Sequence, residues 1–237
     1  MRYRMHSVMI AEHLALGTAQ LGGNSAYAKM PPTETECERI LRTAYYEGIR
    51  YFDTAQAYGL SEERVGRYVP NDAKIITKLH PDACDESLEK IEERLLHSLA
   101  VLRRNHIWGL LLHRERMLDR WQAGLGELLF GWQDRGLISC LGLSLESSRS
   151  DAMVFSSAPG MALLQVPADI SQPVPPASLF VRSVYAHGMV KDRRAAIART
   201  HERFGNSDVT LLIGAETAEQ VRANCRMVRD EYRVRVG

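Results

Sequence analysis

The sequence predicts an α/β fold of the closed (β/α)8 TIM-barrel type, forming one compact domain over residues 1–237. Three observations carry that expectation. The chain has 237 residues, a length at which a single α/β barrel is commonly complete. Short apolar runs alternate with longer segments of helical period from end to end, the pattern of a parallel sheet with helices outside it. The strand-like runs reach eight, enough to close the sheet on itself, and no repeat, low-complexity tract or charge block marks a second domain.

In chain order the expected strands are His13–Gly17, Arg50–Asp53, Ala73–Lys78, Ile107–His113, Ile138–Leu143, Ala162–Val166, Leu179–Val184 and Val209–Gly214. Helical period is expected over Thr33–Glu47, Ser61–Tyr68, Glu86–Arg103, Asp119–Arg135, Asp192–Phe204 and Thr217–Tyr232. The third of these is the clearest, because Leu88, Ile91, Leu95, Leu99 and Leu102 make one apolar stripe. The rhythm fails between Gln165 and Arg182, where VPADISQPVPPASLFV carries four prolines. Proline fixes φ and removes an amide donor, so the sixth crossover is expected to be a loop, and the barrel to lack a full helix after strand 6.

Charge excludes some functions and compartments. With 30 Lys+Arg against 29 Asp+Glu, the formal net charge of +1 gives no electrostatic case for a nucleic-acid or membrane partner. Cys37, Cys84, Cys140 and Cys225 are widely separated, without metal-ligand spacing, and are expected to be free thiols in a reducing compartment. The opening MRYRMHSVMIAEHLALG is broken by Glu12 and His13 before it forms a secretory leader, and no apolar run approaches the ~20 residues of a membrane span. A cytoplasmic location is the expectation, and oligomeric state is not readable.

In such barrels the reactive groups sit where strands end, on the C-terminal face. Asp53 ends the second expected strand, Lys78 the third and His113 the fourth, while Tyr58 lies in the loop five residues beyond Asp53. An Asp and a Lys converging at a barrel mouth would pair, since a buried charge alone is costly. A cation beside a phenol favours phenolate, which makes Tyr58 a general acid for a carbonyl oxygen. His113 would donate a hydrogen bond to the same oxygen. The bland readings are a structural Asp53–Lys78 ion pair and a satisfied strand-end histidine. Gly22-Gly23 does not make a G-x-G-x-x-G turn, so no Rossmann site is expected.

The run FDTAQAYGLSEERVG (Phe52–Gly66) resembles the aldo-keto reductase signature D-T-A-x-x-Y-G-x-S-E-x-x-x-G. The resemblance continues, in family order, through LALGTAQLGG (Leu14–Gly23), IITKLH (Ile75–His80), LLLHR (Leu110–Arg114), LISCLGLS (Leu137–Ser144) and LLIGAETAEQVRAN (Leu211–Asn224), so it spans nearly the whole chain. It implies NAD(P)H-dependent reduction of an aldehyde or ketone to an alcohol, or the reverse, without a metal. Tyr58 then matches the proton donor, Lys78 its tuning cation, Asp53 the partner of Lys78, and His113 the carbonyl-orienting residue. Ser144 and Gln165 match the residues that hold the nicotinamide carboxamide. Arg182 and Ser183 stand where the family stacks a side chain on the nicotinamide ring. Gly17 and Thr18 close the first strand of the same cofactor cleft, and Gly214, Thr217, Gln220 and Asn224 match the adenosine-phosphate end, where a helix N-terminus would suit a phosphate. Thr217 and Gln220 also read as a plain capping box, and His187 as a solvated loop residue.

The sequence departs from the family in three places. Leu145 follows Ser144 where many members have an Asn that touches the carboxamide. The sixth and seventh crossovers are short, which implies an open rim suited to a bulky substrate or a weakly held cofactor. NADP is the family habit, with NAD the alternative, because Glu216 and Gln220 lie near the expected phosphate and Arg222 is the nearest cation. Two other functions remain open on sequence: a cofactor-binding protein of this fold with little or no turnover, and a non-redox lyase using Lys78 as a Schiff-base amine.

Overall fold

The computed structural model describes residues 13–23, 30–186, 189–204 and 209–236. Eight parallel strands close in sequence order into a barrel: β1 (Leu14–Gly17), β2 (Tyr51–Asp53), β3 (Lys74–Lys78), β4 (Ile107–Leu112), β5 (Ile138–Ser144), β6 (Met161–Pro167), β7 (Ser178–Arg182) and β8 (Val209–Gly214). Each expected strand is present, with ends shifted by a residue or two.

Outside the sheet lie α1 (Glu34–Tyr46), α2 (Ser61–Tyr68), α3 (Leu88–Leu102), α4 (Gly126–Asp134), α5 (Arg193–Phe204) and α6 (Ala218–Val236). Local chemistry sets their ends. Thr33 and Ser87 cap α1 and α3 by accepting from the amides of Glu36 and Lys90. One boundary needs correction: the segment expected to be helical from Asp119 becomes regular helix only at Gly126. Before it, Glu115–Leu125 runs as tight and then widened turns, interrupted at Gly124, whose φ of 98° is left-handed.

The sixth crossover has no helix, as the prolines of Val166–Val181 predict. The fifth has no α-helix either, only the short 3-10 segment Ala152–Ser157. Beside these trimmed crossovers a groove of about 830 Å³ opens between the ends of β5–β7 and α5, lined among others by Glu146, Asp169, Arg182, Ser183, Arg199 and Arg203. An open rim at this place is what the short crossovers imply.

Two cores result. The larger one fills the space between sheet and helices. The smaller one is the barrel interior, formed by Ala15, Ile76, Leu111, Leu163, Phe180 and Leu212, with Tyr51, Trp108 and Cys140 packed against it. Tyr51, Trp108 and Phe180 plug the interior edge to face, with Tyr51 centroids 4.9 and 5.4 Å from the other two. Side chains alternate faces along a strand, so the residue two positions beyond each interior residue points into the same lumen, one layer nearer the C-terminal mouth. Applied from Ala15, Tyr51, Ile76, Leu111, Leu163, Phe180 and Leu212, that rule yields Gly17, Asp53, Lys78, His113, Gln165, Arg182 and Gly214, and on β5 two such steps from Cys140 pass Gly142 and reach Ser144.

Candidate active site

The mouth layer has polar side chains at most of its inward positions, and the apolar barrel interior closes it from beneath. Asp53 and Lys78 are 2% and 1% exposed, and Lys78 Nζ donates to Asp53 Oδ1 at 2.6 Å and to the Thr54 carbonyl at 2.8 Å. An ammonium has three donors. The third is left for the side where Tyr58 lies, its ring centroid 5.0 Å from Nζ. Burial opposes the charge on Lys78, but the Asp53 carboxylate and then the Tyr58 hydroxyl outweigh it, so the ammonium is held above the ordinary lysine value.

His113 meets Tyr58 edge to face, with centroids 5.9 Å apart and planes at 83°. Burial, then the Lys78 and Arg114 charges, push its pKa down to about 3, against a weak opposing pull from the Leu79 backbone. The imidazole is therefore neutral at any ordinary pH. It offers one N–H, suited to a carbonyl oxygen, and adds no second cation beside Lys78.

The loop carrying Tyr58 is fixed by backbone fit. A Cβ at Gly22 would stand 1.9 Å from the Tyr58 carbonyl oxygen, and one at Gly59, whose φ is 56°, would stand 2.5 Å from the Gly22 oxygen. Only two glycines allow these chains to touch, and Leu60 N then donates to the Gly22 carbonyl at 3.0 Å. Behind Asp53, the Thr18 hydroxyl donates to the Asp53 carbonyl at 2.8 Å and contacts Ser61 Oγ at 2.6 Å, and Thr54 also donates to Ser61. Thr18 is fully buried, so its side chain serves this knot, while Gly17 stays at the mouth beside Gly214 on β8.

On the opposite wall, Ser144 Oγ donates to Gln165 Oε1 at 3.0 Å, and Gln165 Nε2 donates to Asp53 Oδ2 at 2.8 Å. The side chain of Leu145, the residue after Ser144, is wholly buried in the outer core. Arg182 reaches from β7 to the end of β5, donating to the Leu145 and Glu146 carbonyls at 2.6 and 2.8 Å, and Ser183 beside it has a left-handed φ of 59°.

The expected adenosine end is differently occupied. Gln220 N donates to Thr217 Oγ1 and Glu216 N to Gln220 Oε1, which is the capping arrangement. Asn224 Oδ1 accepts from the Tyr185 hydroxyl at 3.1 Å, and burial pushes that phenol up to about 12. The α6 N-terminus expected to suit a phosphate already meets a carboxylate, since Ala218 N donates to Glu36 Oε1 at 2.9 Å. Arg222 is paired with Glu219 at 3.5 Å. His187 lies outside the described residues.

Two residues of the site carry no motif role in the sequence. Gln20 lies over Gly214, with its amide where a Cβ would be and its Oε1 buried without a partner. Glu62 is 5% exposed behind Lys78, accepting from Thr77 at 2.6 Å and Ser98 at 3.2 Å, and burial pushes its carboxyl above the usual range. Gln20 sits inside LALGTAQLGG and Glu62 inside the SE of the long signature; only packing distinguishes them from solvated neighbours. Among the described residues no His, Cys, Asp or Glu cluster has the geometry to hold a metal, the four cysteines are free thiols, and no helix is long and apolar enough to cross a membrane.

A parallel barrel with a buried Lys–Asp pair beneath a tyrosine and a neutral histidine has the makings of a carbonyl oxidoreductase. A profile of the aldo/keto reductase family matches residues 13–181, most of the chain, and the protein belongs to that family. Solved structures agree on the fold. A Pseudomonas aeruginosa protein assigned as an aldo-keto reductase superposes with a TM-score of 0.72 at 21% identity, over 92% of this chain and 90% of its own. An aldo-keto reductase from Bacillus halodurans in its holo form gives 0.69 at 19%, over 91% and 86%. An aldo/keto reductase from Klebsiella pneumoniae, in complex with NADP and acetate, gives 0.66 at 18%, over 91% and 85%. Comparison with curated proteins finds no match.

Proposed function

We propose that the protein is an NADP(H)-dependent reductase that converts an aldehyde or ketone to an alcohol, or runs the reverse reaction, with Tyr58 as general acid. The observation that carries the reading is Lys78, buried and protonated between Asp53 Oδ1 and the Tyr58 ring. A fixed cation there draws charge towards the phenol oxygen and eases loss of its proton to a developing alkoxide. His113 supplies the second donor and, being neutral, leaves Lys78 as the cation nearest the phenol.

The mouth fits the nicotinamide end of such a cofactor. Gly17 and Gly214 add no side chains to the mouth, the Gln20 amide packed over Gly214 has an Oε1 without a hydrogen-bond partner, and Gln165 keeps a spare N–H and a spare lone pair beyond its two hydrogen bonds. Gln165, Ser144 and Arg182 would hold the carboxamide and ring, and the bound dinucleotide would supply the hydride. Ser183 would stand beside Arg182 at the ring, and Gly214, Thr217, Gln220 and Asn224 would meet the phosphate and adenosine portions. The Glu36 carboxylate at the α6 N-terminus favours NAD over NADP at that end, and NAD is the alternative cofactor. The Schiff-base reading is disfavoured because an amine held above its ordinary pKa is a poor nucleophile.

Fluorescence titration with NADPH and NADH, followed by a panel of aldehydes and ketones under the tighter-binding cofactor, tests this. Binding with turnover is the expected result. Binding without turnover on any carbonyl would instead support a cofactor-binding protein that has lost catalysis.

A further inference from the structure

In an eight-stranded barrel β2 and β6 face each other across the axis. The Gln165 side chain on β6 nevertheless reaches Asp53 on β2, at 2.8 Å. Its orientation is fixed by chemistry. Asp53 is paired with Lys78 and accepts only, so the amide nitrogen must face it, and Gln165 Oε1 must face the Ser144 hydroxyl. Ser144, Gln165, Asp53 and Lys78, each at most 4% exposed, thus form one hydrogen-bonded strip across the floor of the mouth. Both Asp53 oxygens are used, one by each side of the barrel.

We propose that Gln165, anchored by Ser144, is a positioning residue for proton transfer: it holds the Asp53 carboxylate so that Lys78 is shared with Tyr58. This rests on the reading of Tyr58 as proton donor, and it assigns Gln165 a task separate from holding a cofactor. The physical reason is satisfiability. With Oδ2 hydrogen-bonded across the axis, Asp53 meets Lys78 through Oδ1 alone, and the third Lys78 donor stays towards the phenol. With Gln165 removed, a buried carboxylate oxygen has no donor, and the cheapest remedy is for Asp53 to turn both oxygens on Lys78. Lys78 then gives less to Tyr58, and the phenol keeps its proton to higher pH. The other titratable groups around the pair are His113, just past β4, which stays neutral, and Glu62 on α2, which lies behind Lys78 and feels its charge.

The test is an NMR titration of the cofactor-free protein with isotope-labelled tyrosine, the Tyr58 signal being assigned by its loss in Tyr58→Phe. Gln165→Met should move the Tyr58 midpoint upward by about half a unit or more, and Ser144→Ala should move it in the same direction by less. Under saturating NADPH, the alkaline limb of carbonyl reduction should move upward in parallel. A residue that only holds the nicotinamide would raise the NADPH dissociation constant and leave both the midpoint and the limb where they are; that result overturns the proposal. If Gln165→Met does not fold, Ser144→Ala decides by the same criterion. Because the titration needs neither cofactor nor turnover, its outcome is independent of whether Tyr58→Phe abolishes activity, which tests the underlying reading.

Discussion

The two halves of the barrel are built to different standards. From β1 to β4 every crossover carries an α-helix, and the loops at the mouth are pinned by backbone contacts at Gly22 and Gly59 and by the hydroxyls of Thr18, Thr54 and Ser61. From β5 to β8 two crossovers lack an α-helix, an open groove lies beside them, and the family profile stops at residue 181. Asp53, Tyr58, Lys78 and His113 all belong to the first half. Most groups that would face a cofactor or substrate belong to the second. The proposed proton handling, which tolerates little displacement, sits on the complete scaffold, whereas the proposed binding rim lies where two crossovers lack an α-helix. Across the barrel axis, the Gln165 side chain joins the two at Asp53.

That contrast can be broken by mutation. Lys78→Met should be the most damaging change, since it strands the Asp53 carboxylate in the interior. A loss of about 3–5 kcal/mol in denaturant unfolding is expected, with turnover below detection. Arg199→Ala, on the groove of the second half, should stay within about 0.5 kcal/mol by the same measurement. Similar losses at both positions would mean that the halves do not differ. Gly22→Ala should cost about 1–3 kcal/mol, because its Cβ cannot coexist with the Tyr58 carbonyl, and turnover should fall with the displaced loop.

Acid should act on the first half through His113. Its folded pKa of about 3 lies below the ordinary 6.5, so between those values the unfolded chain binds a proton that the folded chain does not. Its contribution to stability is complete above about pH 6.5 and is lost as pH falls towards 3. His113→Gln should remove part of that slope in unfolding measured against pH, and the wild-type rate profile should show no His113 inflection near neutrality. The smallest effect belongs to the second half. Glu36→Gln removes a carboxylate from the α6 N-terminus and should improve NADPH binding relative to NADH by about two- to fivefold, read by fluorescence titration.

The same division governs what sequence reading reaches. The strands are legible because each is a short apolar run bounded by helical period, and the missing sixth helix because its prolines forbid one. The late start of α4 is not, since the left-handed turn at Gly124 sits inside a pattern of plausible helical period. Asp53, Tyr58, Lys78 and His113 are legible because strand-end position and motif order point to the same residues. Thr18, Asn224 and Gln165 are only half legible. Their types suit a ligand, but whether a hydroxyl or amide faces ligand or protein depends on partners 35, 39 and 112 residues away in the chain. Charge at the α6 N-terminus is decided in the same way, by Glu36, 182 residues distant.

The account stands on Tyr58 as the proton donor. Steady-state turnover of Tyr58→Phe with the best carbonyl of the panel, measured beside NADPH titration of the same variant, tests it most directly. Turnover reduced by about a hundredfold or more, with the NADPH dissociation constant within a few-fold of wild type, is the predicted result. A variant that retains most of its turnover would show that the proton comes from another group, and would contradict the account.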